Sequence, residues 1–377
     1  MTSYGKAVIA AWVLFLPSVL LAQRFHGFVS VASYPQAIAV NPFTDRIYTI
    51  DEPANEVTEI DGVTNATVKI SLGTNSQKSL DGALAIDPIT NKIYAVDGVN
   101  NHLSVIDGAT RKVKRIATGN TAYAVAVNPY TNRIYVADFG DGTVTVVNGA
   151  KLTTTTVKVG VEPLSVAIDY ISNKIYVANS DSNTVTVIDG ATNATTTVQT
   201  GSYPANVAVN SETHTIYAVN ILSNDVTVIN GATNATRTVQ AGTSADELGI
   251  NARTNKVYVA DRLSSSITVI DGKTNGTVTI PVGSTPDAVA VDELRNKIYV
   301  LDSNNGNIIT TIDGATNATS SVPTNGQGSI DLAVNVLTNQ IYVLNNSGSN
   351  VSLFSGAAGM VPPALLHELI SAPNALR

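Results

Sequence analysis

The 377-residue chain contains no cysteine, and this absence removes several kinds of chemistry at once. Disulfides, zinc–thiolate centres, iron–sulfur clusters and cysteine nucleophiles all need a thiol. Tryptophan is nearly absent too, because the single copy is Trp12. Repeats of the WD type carry a tryptophan in their signature, so that class of repeat is excluded.

Charge is also scarce, and what there is leans acidic. Charged residues make up 14% of the chain, against about 25% in a typical soluble protein. Twenty-two lysines and arginines stand against 29 acids, which leaves a net charge of −7. Because nucleic-acid binding depends on a basic surface, we expect no nucleic-acid partner.

The first 22 residues differ from the rest of the chain. Lys6 precedes an apolar run, Ala7–Leu21, and the small residue Ala22 follows. This order is typical of a secretory signal peptide over residues 1–22. The alternative is a membrane anchor, although the run is shorter than the ~20 residues that span a bilayer. We expect a mature chain without a transmembrane segment that is secreted, periplasmic or at the cell surface.

The remainder consists of eight copies of one unit. An Ile-Tyr or Val-Tyr pair recurs, mostly 41 residues apart, with its tyrosines at Tyr48, Tyr94, Tyr135, Tyr176, Tyr217, Tyr258, Tyr299 and Tyr342. A second marker, Ile-Asp-Gly or a close variant, follows each pair. Each copy holds four short runs rich in β-branched residues, separated by Asn, Asp and Gly, with no helical periodicity.

Four strands repeated about every 41 residues are typical of a β-propeller. The last copy stops after its third strand, whereas an unpaired strand, Phe28–Val31, precedes the first copy. We therefore predict an all-β, eight-bladed propeller of four-stranded antiparallel blades over residues 27–355, closed by the N-terminal strand. The alternative is a seven-bladed ring. Residues 356–377 lack the repeat and form a C-terminal tail, in which a short helix after Pro362-Pro363 is an option.

The repeat has a recognisable sequence. One copy reads Asn173-Lys174-Ile175-Tyr176-Val177-Ala178-Asn179, then Thr184-Val185-Thr186-Val187-Ile188-Asp189, and ends before the next blade with Gly201-Ser202-Tyr203-Pro204. It resembles the YVTN-repeat β-propeller family of exported bacterial and archaeal proteins, although Ala or Val replaces the Thr of the name motif here. The resemblance implies an exported propeller, and because related propellers include lactonase-like enzymes, it also implies a possible hydrolase.

One polar position recurs in every copy. The residue three after each repeat tyrosine is Asp51, Asp97, Asp138, Asn179, Asn220, Asp261, Asp302 or Asn345. Loops that follow second strands surround one mouth of a propeller channel, so these residues, with Tyr123, are a candidate binding rim. The alternative is that each side chain hydrogen-bonds the backbone of its own turn.

Acidic residues that depart from the repeat cluster in copies six to eight. The candidate metal ligands are Asp246, Glu247, Asp261, Asp287, Asp302 and Asp331. Carboxylates attract hard cations such as Ca²⁺, and close carboxylates can also act as general acids or bases. The alternative is a solvated acidic rim.

Two functions follow from these patterns. The favoured one is an exported, non-enzymatic binding scaffold without a cofactor, whose channel rim takes a protein or glycan of unknown identity. The second is a metal-dependent, lactonase-like hydrolase, in which a divalent cation on the acidic rim activates water.

Overall fold

The computed structural model describes residues 23–51, 55–73, 83–303 and 307–357. The predicted signal peptide and nearly all of the predicted tail, including its optional helix, lie outside these ranges. The described residues form 32 strands in eight antiparallel sheets of four. Within them no helix occurs, and so none is long and apolar enough to cross a membrane.

The strands alternate regularly along the chain. The innermost strands of the blades are β2 (Pro35–Asn41), β6 (Leu84–Asp87), β10 (Ala122–Asn128), β14 (Pro163–Asp169), β18 (Pro204–Asn210), β22 (Ala245–Asn251), β26 (Pro286–Asp292) and β30 (Ser329–Asn335). The second strands are β3 (Arg46–Asp51), β7 (Lys92–Asp97), β11 (Arg133–Asp138), β15 (Lys174–Asn179), β19 (Thr215–Asn220), β23 (Lys256–Asp261), β27 (Lys297–Asp302) and β31 (Gln340–Asn345).

The outer half of each blade follows the same order. The third strands are β4 (Glu56–Asp61), β8 (His102–Asp107), β12 (Thr143–Asn148), β16 (Thr184–Asp189), β20 (Asp225–Asn230), β24 (Ser266–Asp271), β28 (Ile308–Asp313) and β32 (Asn350–Ser355). The outermost strands are β5 (Thr67–Ser71), β9 (Val113–Ala117), β13 (Thr154–Lys158), β17 (Thr195–Gln199), β21 (Thr236–Gln240), β25 (Thr277–Pro281), β29 (Thr319–Pro323) and β1 (Arg24–Ser30).

The ring closes as the sequence predicts. Strand β1 pairs antiparallel with β32, with Val29 opposite Val351, and completes the eighth blade. Successive innermost strands contact one another around the whole ring, and β2 contacts β30. The eight-bladed prediction is therefore confirmed, and the seven-bladed alternative is wrong. Because β1 pairs with β32, the edge of β32 is not left unpaired.

The core lies between blades. Each repeat tyrosine is buried, and Tyr217, for example, packs with Val257 and Val259 of the following blade. A second contact joins the turns between first and second strands. Asn210 Nδ2 donates to Asn255 Oδ1 at 2.8 Å, and Asn41, Asn128, Asn251 and Asn335 make equivalent contacts with the next blade.

Candidate functional site

The innermost strands enclose a central channel with two mouths. We call the mouth beside the loops from second to third strands the upper mouth. The mouth beside the turns from first to second strands, which include Phe43, Tyr130 and Glu212, is the lower mouth. The sequence analysis placed the candidate binding rim at the upper mouth.

The repeated Asp and Asn side chains of that rim lie inside the blades. Asp261 is fully buried, and its Oδ2 accepts hydrogen bonds from Ser266 and Thr268 of the neighbouring third strand. Its Oδ1 accepts one from the backbone N–H of Gly242 at 2.8 Å. Buried polar groups must be satisfied in this way. The side chain thus joins two strands and the incoming loop.

The same arrangement recurs around the ring. Asp51, Asp138, Asn179, Asn220 and Asn345 are buried and bond the hydroxyl of the Thr or Ser seven residues later. Asp302 is also buried and lies against Gly283. Asp97 differs, because its carboxylate caps its own loop through the backbone and side chain of Asn100. Most of these side chains therefore form hydrogen bonds to the third strand. The alternative interpretation of the sequence expected hydrogen bonds mainly to the backbone of their own turns.

Burial changes the acidity of the aspartates in this ring. Desolvation raises the pKa of Asp51 to about 7, although hydrogen bonds from Thr58 and Thr49 oppose that change. Desolvation likewise raises the pKa of Asp138 and of Asp261.

A β-bulge at the start of seven innermost strands decides which side chains reach the channel. In blade six the bulge lies between Ala245 and Glu247, so Asp246 is the extra residue. Asp287 holds the same position in blade seven. These two acids sit at the upper mouth, where Arg262 joins them, with Nε 2.7 Å from Asp287 Oδ1 and Nη1 3.8 Å from Asp246 Oδ2.

Tyr123 is the bulge residue of blade three. It is half-buried, and its ring centroid lies 6.1 Å from that of Phe139 in a tilted arrangement. The upper mouth therefore carries an aromatic pair on one side and an ion-paired acidic group on another.

The residue after the bulge belongs to a layer of the channel wall. In three blades this residue is alanine, Ala37, Ala124 and Ala288, and Ala83 holds the equivalent position beside the second strand of blade two. In the other four it is polar: Ser165, Asn206, Glu247 and Asp331. We call these four residues the polar channel group. Three of the polar positions lie in the consecutive blades four to six and the fourth lies in blade eight, so Ala288 of blade seven comes between Glu247 and Asp331.

Three members of the polar channel group form a hydrogen-bonded chain across neighbouring blades. Ser165 Oγ donates to Asn206 Oδ1 at 3.1 Å, and Asn206 Nδ2 donates to Glu247 Oε2 at 2.7 Å. Asp331 accepts from the backbone N–H groups of Ile38 and Leu332. All four side chains are half-buried, which leaves part of each facing the channel.

Both carboxylates of the polar channel group hold their protons more tightly than usual. Burial and, to a smaller extent, the charges of Asp331 and Asp246 together raise the pKa of Glu247 to about 8. Burial also raises the pKa of Asp331 to about 6, against the two backbone hydrogen bonds it accepts. A cation that enters the channel would stabilise the ionised form of both carboxylates.

The six predicted metal ligands are not brought together. Asp261 and Asp302 are buried in their own blades, Asp246 and Asp287 share Arg262, and Glu247 and Asp331 lie in the channel wall. Nowhere in the described ranges do three His, Asp or Glu side chains form a group that could hold a metal ion. The hydrolase hypothesis therefore gains no support from this geometry.

The lower half of the channel was missed by the sequence reasoning. It is a cavity of about 930 Å³ lined by alanines and valines of the innermost strands. Its mouth carries exposed apolar turn residues in blades one to four: Phe43, Ile89, Tyr130, Tyr170 and Ile171. Blades five and seven supply Glu212 and Glu293 instead. The sequence shows an apolar residue in the turn after the innermost strand of each of these four blades. It does not show that these turns meet at a channel mouth.

Comparison with known proteins supports the architecture and goes no further. No family model matches the chain, and no curated protein matches it significantly. Among solved structures, a chain of Kuenenia stuttgartiensis hydrazine synthase is similar, with a TM-score of 0.60 and 18% sequence identity. The match covers 75% of this chain and 97% of that one. At this identity, the similarity shows a common fold alone.

Proposed function

We propose that the protein is an exported, non-enzymatic binding scaffold whose channel takes a cationic group, an amine or guanidinium, of a protein partner. The observation that carries this proposal is the polar channel group, Ser165, Asn206, Glu247 and Asp331. It interrupts an otherwise alanine layer of the channel wall in blades four, five, six and eight.

Hydrogen bonding supports a role in recognition. The Asn206 amide holds one oxygen of Glu247, which orients the carboxylate, and Ser165 in turn orients the Asn206 amide. An oriented carboxylate with an oxygen facing the channel suits a charge-assisted bond to a guanidinium or ammonium. Ala37 and Ala83, in the blades across the ring from Asn206 and Glu247, leave space for the aliphatic stem of such a group.

Electrostatics point the same way. The acids of the polar channel group and the upper mouth include Asp246, Glu247, Asp287 and Asp331, and Arg262 pairs with only two of these, Asp246 and Asp287. A mouth lined by one sign of charge concentrates ligands of the opposite sign. A basic side chain that enters here also compensates the buried carboxylates.

A matched pair of small probes tests the proposal. Butylguanidinium and butylurea have similar shape and hydrogen-bonding edges, but only the first is charged. We expect calorimetric titration to detect binding of butylguanidinium at least tenfold tighter than that of butylurea. The Glu247→Gln/Asp331→Asn variant should lose this difference. Equal binding of the two probes, or unchanged selectivity in the variant, would contradict the proposal.

The control variant is Asp107→Asn/Asp189→Asn. It also removes two carboxyl groups, here from exposed turns between third and fourth strands, where Asn148 and Asn230 occupy the same position in other blades. We expect it to bind butylguanidinium like the wild type. A loss of binding in the control would mean that overall charge, and not the polar channel group, attracts the probe.

Binding should also depend on pH and move protons. The guanidinium stays charged, whereas Asp331 and Glu247 lose their protons with pKa values of about 6 and about 8. The affinity should therefore rise from pH 5 to pH 9. Near pH 7, binding should release a proton, and titrations in buffers of different ionisation enthalpy will measure it.

Export and the YVTN family belong to the same proposal. The signal-type segment over residues 1–22 and the eightfold repeat with its Ile-Tyr pairs support them. We expect the mature N-terminus at Gln23 when the protein is produced with its leader in a secreting host. N-terminal sequencing of the cell-free fraction and of the cell lysate checks this. Only uncleaved protein in the lysate would contradict it.

A further inference from the structure

The lower half of the channel contains a cavity that the binding proposal does not use. On every innermost strand, the residue opposite the repeat tyrosine is small: Ala39, Ala85, Ala126, Ala167, Ala208, Gly249, Ala290 or Ala333. The alanines of blades two to five line the cavity, whose volume is about 930 Å³. Because side chains of this size do not fill the centre of the ring, the space between them can hold a ligand.

The wall of this cavity is apolar, and its volume suits a small molecule. Valines and isoleucines of the same strands, such as Val127, Ile168 and Val209, complete the wall. Ligand pockets in proteins usually have volumes of ~300–1,000 Å³ and mainly apolar walls. Water in such a space finds few polar partners, so an apolar body that replaces this water is bound favourably.

The two sides of the lower mouth differ in chemistry. In blades three and four, the rings of Tyr130 and Tyr170 meet edge to face, with their centroids 6.3 Å apart. With Ile171 they line the cavity, and the three side chains are between 47% and 64% exposed. In blades five and seven, Glu212 and Glu293 line the same cavity. An aromatic surface and an acidic one therefore face one space.

The carboxylate of Glu293 is held in a fixed position. Its Oε1 accepts the backbone N–H of Ala252, in the preceding blade, at 2.9 Å. No other hydrogen bond of this carboxylate occurs among the described residues, so its second oxygen is available to a ligand. Burial raises the pKa of Glu293, and the nearby charge of Glu212 adds to this effect, whereas the Ala252 hydrogen bond and the charge of Arg253 oppose it. An ammonium group beside it would favour its ionised form.

The acids on this side of the mouth exceed the bases that are free to pair with them. Arg295, in the turn of blade seven, already pairs with Asp292 at 2.9 Å, and its side chain is only 13% exposed. Arg253, in the turn of blade six, is exposed. Glu212 and Glu293 therefore share one arginine, and a single positive charge on a ligand balances what remains.

We propose that the lower half of the channel binds a small amphiphilic amine, with its apolar body against the alanine layer and the Tyr130–Tyr170 pair and its ammonium group at Glu212 and Glu293. This site is separate from the polar channel group, and the inference goes beyond the proposed function. The body replaces water in an apolar space, and the ammonium group bonds an oriented carboxylate. Each half of the ligand therefore adds to the affinity.

Three probes separate the two halves of such a ligand. Phenylbutylammonium has both, phenylbutanol has the body without the charge, and butylammonium has the charge without the ring. In calorimetric titrations of the full chain, we expect phenylbutylammonium to bind at least fivefold tighter than phenylbutanol and at least tenfold tighter than butylammonium. Equal affinity for the ammonium and the alcohol, or no gain from the ring, would overturn the proposal.

The acidic side is tested by Glu212→Gln/Glu293→Gln, in which the glutamine at 293 keeps an oxygen for the Ala252 N–H. This variant should lose the preference for phenylbutylammonium over phenylbutanol. The control is again Asp107→Asn/Asp189→Asn, which removes two carboxyl groups from exposed turns and should keep the preference. A preference that persists in the first variant would show that the two glutamates do not hold the ammonium group.

The aromatic side is tested by Tyr130→Ser, which should weaken the binding of phenylbutylammonium and of phenylbutanol at least fivefold. The control is Tyr34→Ser. Tyr34 is 58% exposed, close to the 51% of Tyr130, but it precedes the innermost strand of blade one and so lies at the upper mouth. Unchanged binding in Tyr130→Ser, or an equal loss in Tyr34→Ser, would contradict the proposed site.

A fluorescent reporter locates the probe independently of these affinities. The only tryptophan of the chain is Trp12, so a Trp12→Phe background contains no other indole. In this background, Tyr130→Trp reports on the lower mouth and Tyr34→Trp on the upper mouth. We expect phenylbutylammonium to shift the emission of the first reporter, with the dissociation constant found by calorimetry, and to leave the second unchanged. A shift of the upper reporter alone would place the amine at the polar channel group, which would overturn this inference and leave the proposed function intact.

Discussion

In four blades, two sets of polar side chains lie close together on the first and second strands, and they differ in one respect. The Asp or Asn at the end of the second strand is present in all eight blades and is mostly buried among hydroxyls of its own sheet. The polar channel group occupies only four blades and keeps part of each side chain toward the channel. Here the polar residue that recurs in every blade stabilises the sheets. The polar residues that occur in only some blades form the candidate site.

The largest expected effect is a loss of stability when one of the repeated, buried residues is removed. Tyr217→Ala removes a buried ring that packs against the next blade, and should lower the free energy of unfolding by about 3–5 kcal/mol. The control, Tyr217→Phe, should stay within about 1 kcal/mol of the wild type, since this hydroxyl has no hydrogen-bond partner among the described residues. Urea unfolding measures both. Equal losses of unfolding free energy in the two variants would show that the Tyr217 hydroxyl, and not the packing of its ring, provides the stabilisation.

The next prediction sets the two polar sets against each other. Asp261→Ala leaves the hydroxyls of Ser266 and Thr268 and the N–H of Gly242 without their acceptor, and should cost about 1–3 kcal/mol. Glu247→Ala introduces the residue that four other blades carry in the same layer, and should cost less than about 0.5 kcal/mol. Urea unfolding at pH 7 compares them. A larger loss for Glu247→Ala would mean that the polar channel group is structural.

A third prediction concerns pH. Burial raises the pKa of Asp51 to about 7 in the folded protein, above the unfolded value of about 3.9. The folded state therefore binds the Asp51 proton more tightly than the unfolded state. The contribution of this proton to the free energy of unfolding is complete below pH 4 and is lost as the pH rises through 7. Asp51→Asn should remove this loss.

The variant should gain about 1 kcal/mol or more over the wild type between pH 4 and pH 8, since one unit of pKa is about 1.4 kcal/mol. Asn179 and Asn220 already fill this position in other blades. Thermal unfolding at the two pH values gives the comparison. A difference that does not change with pH would show that the buried carboxyl is not protonated by burial.

The last prediction concerns the exposed turns between third and fourth strands. Asn193 has a positive φ of 62° in the turn after β16. Asn193→Ala should cost about 1 kcal/mol, because only Gly, Asn and Asp adopt this conformation readily. Asn193→Gly should be close to neutral. Thermal unfolding of the two variants checks this, and equal effects would show that the turn gains its stability elsewhere.

The sequence predicted the fold well because its evidence is local and repeated. The spacing of the tyrosine pairs predicted eight blades, and the unpaired strand near Phe28 predicted the closure with β32. Each copy confirms the others, so an irregular copy such as the second does not change the count.

The candidate site was predicted less well. Glu247 and Asp331 depart visibly from the repeat in the sequence, but so do Asp246 and Asp287, and the four acids were predicted to form one cluster. The bulge separates them, because one extra residue turns the next side chain to the other face of the strand. A bulge leaves no mark in residue spacing when nearly all copies share it, as seven of the eight innermost strands do here.

What the sequence determined by itself is the architecture: the number of blades, the order of the strands and the way the ring closes, since these depend on periodic patterns within 41 residues. Only the tertiary structure decided which polar groups are buried, which face the channel, and where the apolar turns meet. These outcomes depend on contacts between blades, such as that of Asn206 with Glu247, and such pairs are recognised only once the ring has brought neighbouring strands together.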